Sequence, residues 1–244
     1  MDAKEPVEGA RRYLKTREKP WAQALARQVK ALGLTPNTIS VLSVVFAILA
    51  AYFLKHACPE RLEEGALIAP LNINEKTVAC LMWLGAAACI QLRLLCNLLD
   101  GLVAIEGGMK SPLGGLYNEV PDRIADAVIL MAAGYSNNWV VKVLDMPLGW
   151  IAAVLAVLTA YIRVLGGTLV GKQSFVGPMA KQHRMFVLTV ACFAAMIEEC
   201  LRTDRNVEMV MKVALSIIVV GSAITCWRRL NLIAKDLKAA YAKP

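Results

Sequence analysis

The chain has 244 residues, 57% of them apolar, with a mean hydropathy of +0.51 and a formal net charge of +8. One soluble domain of this length carries about 45–50% apolar residues. Here the charges cluster between long apolar runs, as expected when lipid is the solvent, so a soluble globular domain is excluded. Seven cysteines, at 58, 80, 89, 96, 192, 200 and 226, form no Cys-x-x-Cys pair. Neither a zinc site nor a disulfide framework is therefore expected, and they read as small buried hydrophobes.

The first thirty residues are charged and lack a compact apolar core, so no cleavable signal peptide is expected. Within residues 1–34, Trp21, Leu25, Val29 and Leu32 recur at i, i+4, i+8 and i+11, with Gly33 as a stop signal. This predicts an amphipathic helix lying in the membrane interface, or one packed on the protein. Thr35-Pro36-Asn37 then starts the first of six apolar segments, at about 36–56, 78–103, 112–136, 146–167, 185–202 and 207–231. The connections carry turn-forming or charged residues, such as Cys58-Pro59-Glu60 and Ser136-Asn137-Asn138. The expected fold is all-α: six transmembrane helices over 35–232, preceded by the interfacial segment and followed by a basic tail at 233–244. With six spans, 20 of the 27 Lys and Arg residues fall on the side of the termini and seven on the other. The positive-inside rule then puts both termini in the cytoplasm, and the net charge is assigned to topology, with no nucleic-acid partner. Trp21, Trp139 and Trp227 fall near the predicted interfaces.

The segment RLLCNLLDGLVAIEGGMKSPLGGLYNEVPDRIAD, residues 93–126, breaks the apolar pattern. Ionisable groups at membrane depth cost about 3 kcal/mol each on insertion scales, so their retention points to function. Arg93, Asn97, Asp100 and Ala104 step by four, three and four residues along one helical face, and Asn118, Asp122 and Asp126 step by four along the next. Two antiparallel spans would turn these stripes toward each other and bring oxygen ligands together, a set suited to Mg²⁺ or Mn²⁺ beside a phosphate. Gly101, Gly114 and Gly115 would let a nucleotide or a second helix approach closely.

The spacing resembles the signature of the CDP-alcohol phosphotransferase family, D-x2-D-G-x2-A-R-x8-G-x3-D-x3-D. The chain reads Asn97-x2-Asp100-Gly101-x2-Ala104-Ile105-x8-Gly114-x3-Asn118-x3-Asp122, with every spacing kept and asparagine at the first and third aspartate positions. The Leu34-Thr35-Pro36-Asn37-x2-Ser40 stretch is similar to the family's approach to its first span. The resemblance implies that Asp100, Asp122, Asn97 and Asn118 face divalent metal, and that Asp122 takes the proton of an acceptor hydroxyl. It implies a cytidine pocket at Gly101, Ala104 and Gly114 with Asn37 and Ser40 nearby, a CDP-linked donor such as CDP-diacylglycerol, release of CMP, and a homodimer. A bacterial inner membrane with the site facing the cytoplasm is the expected location.

The two asparagines leave the four metal-facing positions with two formal negative charges. Three arrangements answer this: one metal with Arg93 replacing another against the pyrophosphate; charge restored by Glu106, Glu119 or, best placed, Asp126; or nucleotide binding without turnover. A second basic group, Arg163 and then Gly177-Pro178-x2-Lys181-x-His183-Arg184, reads as a phosphate or acceptor pocket at Arg163, Lys181 and Arg184, or as topogenic charge. His183 reads as an interfacial residue. A degenerate nucleotide- or lipid-binding scaffold of the same fold is the alternative to an enzyme. A transporter fits less well, because the polar residues gather at one membrane face.

Overall fold

The computed structural model describes residues 18–57, 74–106, 108–109, 112–135, 140–141, 146–201 and 207–241. The chain up to residue 17, the loops at 58–60 and 136–138, and Trp139 lie outside the described residues. Helix α1 spans Pro20–Ala31, α2 Pro36–His56, α3 Glu75–Glu106, α4 Gly114–Tyr135, α5 Leu148–Val170, α6 Lys181–Leu201 and α7 Val207–Tyr241. A two-residue antiparallel ladder, β1 (Val140–Val141) on β2 (Met146–Pro147), joins α4 to α5.

Local chemistry sets several boundaries. Pro36 occupies the first turn of α2, where its missing N–H costs nothing, and the Thr35 hydroxyl caps that turn by accepting from the Thr38 amide at 3.2 Å. Gly33, at φ +77°, ends the turn after α1, and Gly171, at φ +72°, caps α5; both take the left-handed conformation that glycine adopts without a Cβ clash.

Helices α2 to α7 form a closed ring in the order α2, α3, α6, α7, α5, α4, and α4 packs back on α2. α3 runs opposite to both of its ring neighbours: the start of α2 meets the end of α3 through Ser40 and Asp100, and the start of α3 meets the end of α6 through Cys80 and Cys200. The six segments expected from hydropathy coincide with these six helices. Four of them, α2, α3, α5 and α7, are long and apolar enough to cross a membrane on length and composition alone. In the other two the charges interrupt the apolar stretch: Glu119, Asp122, Arg123 and Asp126 on α4, and Lys181, Arg184, Glu198 and Glu199 on α6.

The interior is built on small residues, including Ala47, Ala50, Ala86, Ala133, Ala152 and Ala195, filled out by Trp83, Ile90, Ile129 and Leu188. The outside keeps large apolar side chains such as Ile48, Val154, Phe186, Ile217 and Val220 in the open. That inside-out distribution suits a bundle solvated by acyl chains. On α1, Ala22 and Ala26 are fully covered, and Leu25 and Val29 pack with them against Cys96, Leu99, Leu102 and Val103 of α3. The stripe expected at the membrane boundary is thus shared: Leu25 and Val29 face the protein, while Trp21 and Leu32 stay exposed.

Cys80 of α3 and Cys200 of α6 are disulfide-bonded, their Cα atoms 6.9 Å apart, which corrects the expectation of no disulfide. The pairing spans 120 residues and follows from the adjacency of α3 and α6 in the ring, so sequence spacing carried no sign of it. Cys89, Cys96, Cys192 and Cys226 are buried thiols, as expected.

α4 and α5 approach closely at Gly134, where a Cβ would lie 2.7 Å from the backbone of Gly149. Gly134→Ala is expected to cost about 1–3 kcal/mol through overpacking, read as a lower unfolding midpoint in detergent. An unchanged midpoint would show that the two helices are not in backbone contact there.

Candidate active site

The polar residues of α3, α4 and α6 meet in a buried cluster near the end of the ring where α3 finishes and α4 begins. At its centre is Asp126, 1% exposed. Arg93 Nη2 donates to its Oδ1 at 2.5 Å and Arg184 Nη2 to its Oδ2 at 2.8 Å. Arg184 Nη1 also donates to the Met179 carbonyl and the Thr159 hydroxyl. Arg93 reaches Asp122 as well, 3.5 Å from its Oδ1 and 3.3 Å from its backbone carbonyl. Ionised side chains this deep persist only when paired and hydrogen-bonded.

Toward the cavity the pattern continues. Lys181 Nζ donates at 2.5 Å both to Asn97 Oδ1 and to Asp122 Oδ2. The Asn97 amide nitrogen in turn donates to the Arg93 carbonyl at 3.0 Å, which turns the amide oxygen toward the lysine. Asp100, one turn along α3, accepts from the Ser40 hydroxyl at 2.8 Å and lies within electrostatic reach of Asp122 and Lys181. At the rim, Glu119 bridges Arg123 at 2.6 Å and Arg163 at 2.5 Å, and the Arg163 guanidinium lies 5.6 Å from the centre of the Phe175 ring.

The stretch before α6 holds Lys181 in place. Gly177, at φ +127°, fits only without a side chain, because a Cβ would sit 2.7 Å from the Thr225 hydroxyl oxygen. That hydroxyl accepts from the Met179 amide, and Arg229 donates to the Val176 and Thr159 carbonyls. Helix α7 thereby fixes the segment that delivers Lys181 and Arg184.

These residues border a cavity of about 820 Å³, within the size range of sites that hold a nucleotide-sized ligand. Of the residues expected from the sequence, Asn97, Gly101, Asn118, Asp122, Arg163, Lys181 and Arg184 line it. Asp100, Ser40, Asn37, Ala104, Gly114, Arg93 and Asp126 are not among its lining residues. Gly114 and Gly115 have open space where a Cβ would project, so neither marks a close helix approach.

Two expectations need correction. Arg93 is fully covered, does not line the cavity and turns its Nη2 to Asp126 and Asp122, so in this structure it does not face the space open to a pyrophosphate. Asp126 does not restore charge to the signature positions, because Arg93 and Arg184 already balance it. Glu119 is likewise taken by Arg123 and Arg163, and the Glu106 side chain lies outside the described residues. Sequence reading missed Arg229, Thr159 and Phe175 in the cavity wall. Arg229 had a signal, a charge at the end of an apolar run, but it was counted only as topogenic.

Toward the divalent cation implied by the signature, these positions offer two carboxylates, Asp100 and Asp122, and two amide oxygens, Asn97 and Asn118. Among the described residues no group of three or more His, Cys, Asp and Glu side chains could hold a metal ion. The Asn97 oxygen and one Asp122 oxygen, which would be metal ligands, are both engaged by the Lys181 ammonium.

No family model and no curated protein matches the sequence. The fold, by contrast, has solved counterparts. Mycobacterium tuberculosis phosphatidylinositol phosphate synthase (PgsA1) in complex with manganese and citrate superposes with a TM-score of 0.64 at 17% identity, over 87% of this chain and 88% of that one. The same enzyme with CDP-DAG bound gives a TM-score of 0.61 at 19% identity, over 87% and 92%. The chain therefore has the fold of this membrane synthase along nearly its whole length.

Removing the central carboxylate takes from Arg184 its carboxylate partner and leaves Arg93 with the longer contact to Asp122. Asp126→Ala is expected to destabilise the protein by about 3–5 kcal/mol. Glu119→Gln, at a half-open ion pair, should leave the unfolding midpoint nearly unchanged. Equal effects of the two substitutions would contradict the assignment of Asp126 as the centre of the cluster.

Proposed function

We propose that the chain is a CDP-alcohol phosphotransferase of phospholipid synthesis. It moves a substituted phosphate from a CDP-linked donor, CDP-diacylglycerol in the first instance, to an alcohol acceptor and releases CMP. The observation that carries this reading is the meeting of Asn97, Gly101, Asn118 and Asp122, in the signature's spacing, with Arg163, Lys181 and Arg184 around one cavity. The likeness to a synthase solved with CDP-DAG supports it. The excess of Lys and Arg on the side of the termini supports a cytoplasmic site in a six-span protein of a bacterial inner membrane.

In this reaction the acceptor hydroxyl attacks the β-phosphorus of the donor. The new P–O bond forms as the bond from that phosphorus to the bridging oxygen breaks, and CMP leaves with the oxygen. The hydroxyl proton passes to the Asp122 carboxylate, whose orientation is held by Lys181 and Arg93. Lys181 and Arg163 face the diphosphate from the cavity wall and oppose the charge that grows on the leaving group. Gly101, with no Cβ, leaves room beside Asn97 and Asn118 for the nucleotide.

Purified protein supplied with CDP-diacylglycerol and Mn²⁺ should release CMP when given a suitable acceptor from a panel that includes inositol phosphate, glycerol phosphate and serine. Asp122→Asn should reduce that release by about 10²–10⁴-fold. Wild-type rates from the Asp122→Asn protein would remove Asp122 from the chemistry. No release with any CDP donor or acceptor, despite retained CDP binding, would favour a nucleotide- or lipid-binding scaffold.

A further inference from the structure

A carboxylate cluster built for divalent cations carries excess negative charge until the ions arrive. The cluster here is already balanced. Asp100, Asp122 and Asp126 are three carboxylates, and Arg93, Lys181 and Arg184 are three cations packed among them. Lys181 has a particular place in that balance. Its ammonium bonds Asn97 and Asp122, the first and last positions of the signature, which lie on facing helices. A cation bridging the two helices would contact the same two oxygens.

We propose that Lys181 is a built-in replacement for one divalent cation, a fixed ammonium occupying the position between Asn97 and Asp122. The inference rests on the reading of this cavity as a CDP-binding site and assigns the cation chemistry of that site. Three features support it. The asparagine at 97 offers a neutral oxygen, which suits an ammonium donor and would weaken a metal site. The Asn97 amide is turned by its bond to the Arg93 carbonyl so that this oxygen meets the lysine. The lysine itself is delivered by a segment pinned to α7 at Thr225 and Arg229. A flexible surface lysine would need no such support. The consequence is a site whose positive charge on the diphosphate comes partly from the chain, so that it takes up fewer divalent ions than a site with four carboxylates.

Mn²⁺ counting tests this directly, and needs neither donor nor acceptor. Titration of the purified full-length protein with Mn²⁺, followed by the EPR signal of the free ion, should show at most one bound ion per chain. The triple variant Asn97→Asp, Asn118→Asp, Lys181→Ala should bind one more than the wild type. Should that variant fail to fold, Lys181→Gln alone is expected to tighten Mn²⁺ binding by about tenfold or more. Two ions bound by the wild type, or Mn²⁺ binding unchanged in Lys181→Gln, would overturn the proposal. Because the readout is binding, a failure here leaves the transferase reading intact, and a protein that binds as expected but never turns over leaves this inference intact.

Discussion

A carboxylate inside an apolar bundle stays ionised only if cations come to it, and in this chain they come from two other helices. Asp126 of α4 is held on one oxygen by Arg93 of α3 and on the other by Arg184 of α6. Each partner is nearly or fully buried, so each depends on the others for its charge. That mutual dependence fixes three helices at one depth. Asp122, one turn from Asp126, then stands at the cavity wall beside Lys181, and Asn97, one turn from Arg93, stands opposite. The geometry of the candidate site is thus set by an ion cluster that lies behind it.

The same cluster shapes what the site can do. Its charges cancel internally, which suits a buried network, while Lys181 and the rim arginines Arg123 and Arg163 add positive charge along the cavity wall. Arg163 is steadied by Glu119 and lies close to Phe175, which limits where its guanidinium can point. A diphosphate entering the cavity would find positive charge already oriented, and such preorganisation is the main way proteins stabilise developing anionic charge. The ring of helices contributes by excluding water. Small residues inside and large ones outside let the backbones close up, as the contact between Gly134 and Gly149 illustrates.

Much of this could be read from the sequence, and the boundary is instructive. Hydropathy located all six long helices, because the apolar runs are continuous and their breaks carry proline, glycine or charge. Helical spacing put Asn97 and Asp100 on one face, and Asn118, Asp122 and Asp126 on another, because the period of a helix is fixed. What could not be read was which cation serves which carboxylate. Lys181 reaches Asn97 across 84 residues and Asp122 across 59, and those contacts depend on where the ring sets the start of α6 against both α3 and α4. Arg93 illustrates the same limit: its position suggested a phosphate ligand, yet its neighbours made it the partner of Asp126. The bond between Cys80 and Cys200 depends on the adjacency of α3 and α6 in the ring. Sequence gave α1 its apolar stripe but not its division of labour, in which alanines allow the close approach to α3 and Trp21 is left at the cavity rim.

The proposed place for a nucleotide diphosphate is the Lys181 side of the cluster, between α3, α4 and α6. An experimental structure of the protein with bound CDP tests it most directly. The expected result is a diphosphate oxygen within hydrogen-bonding distance of the Lys181 ammonium, with Arg93 still closed on Asp126. CDP bound elsewhere on the bundle, or Arg93 released from Asp126 to meet the phosphates, would contradict it.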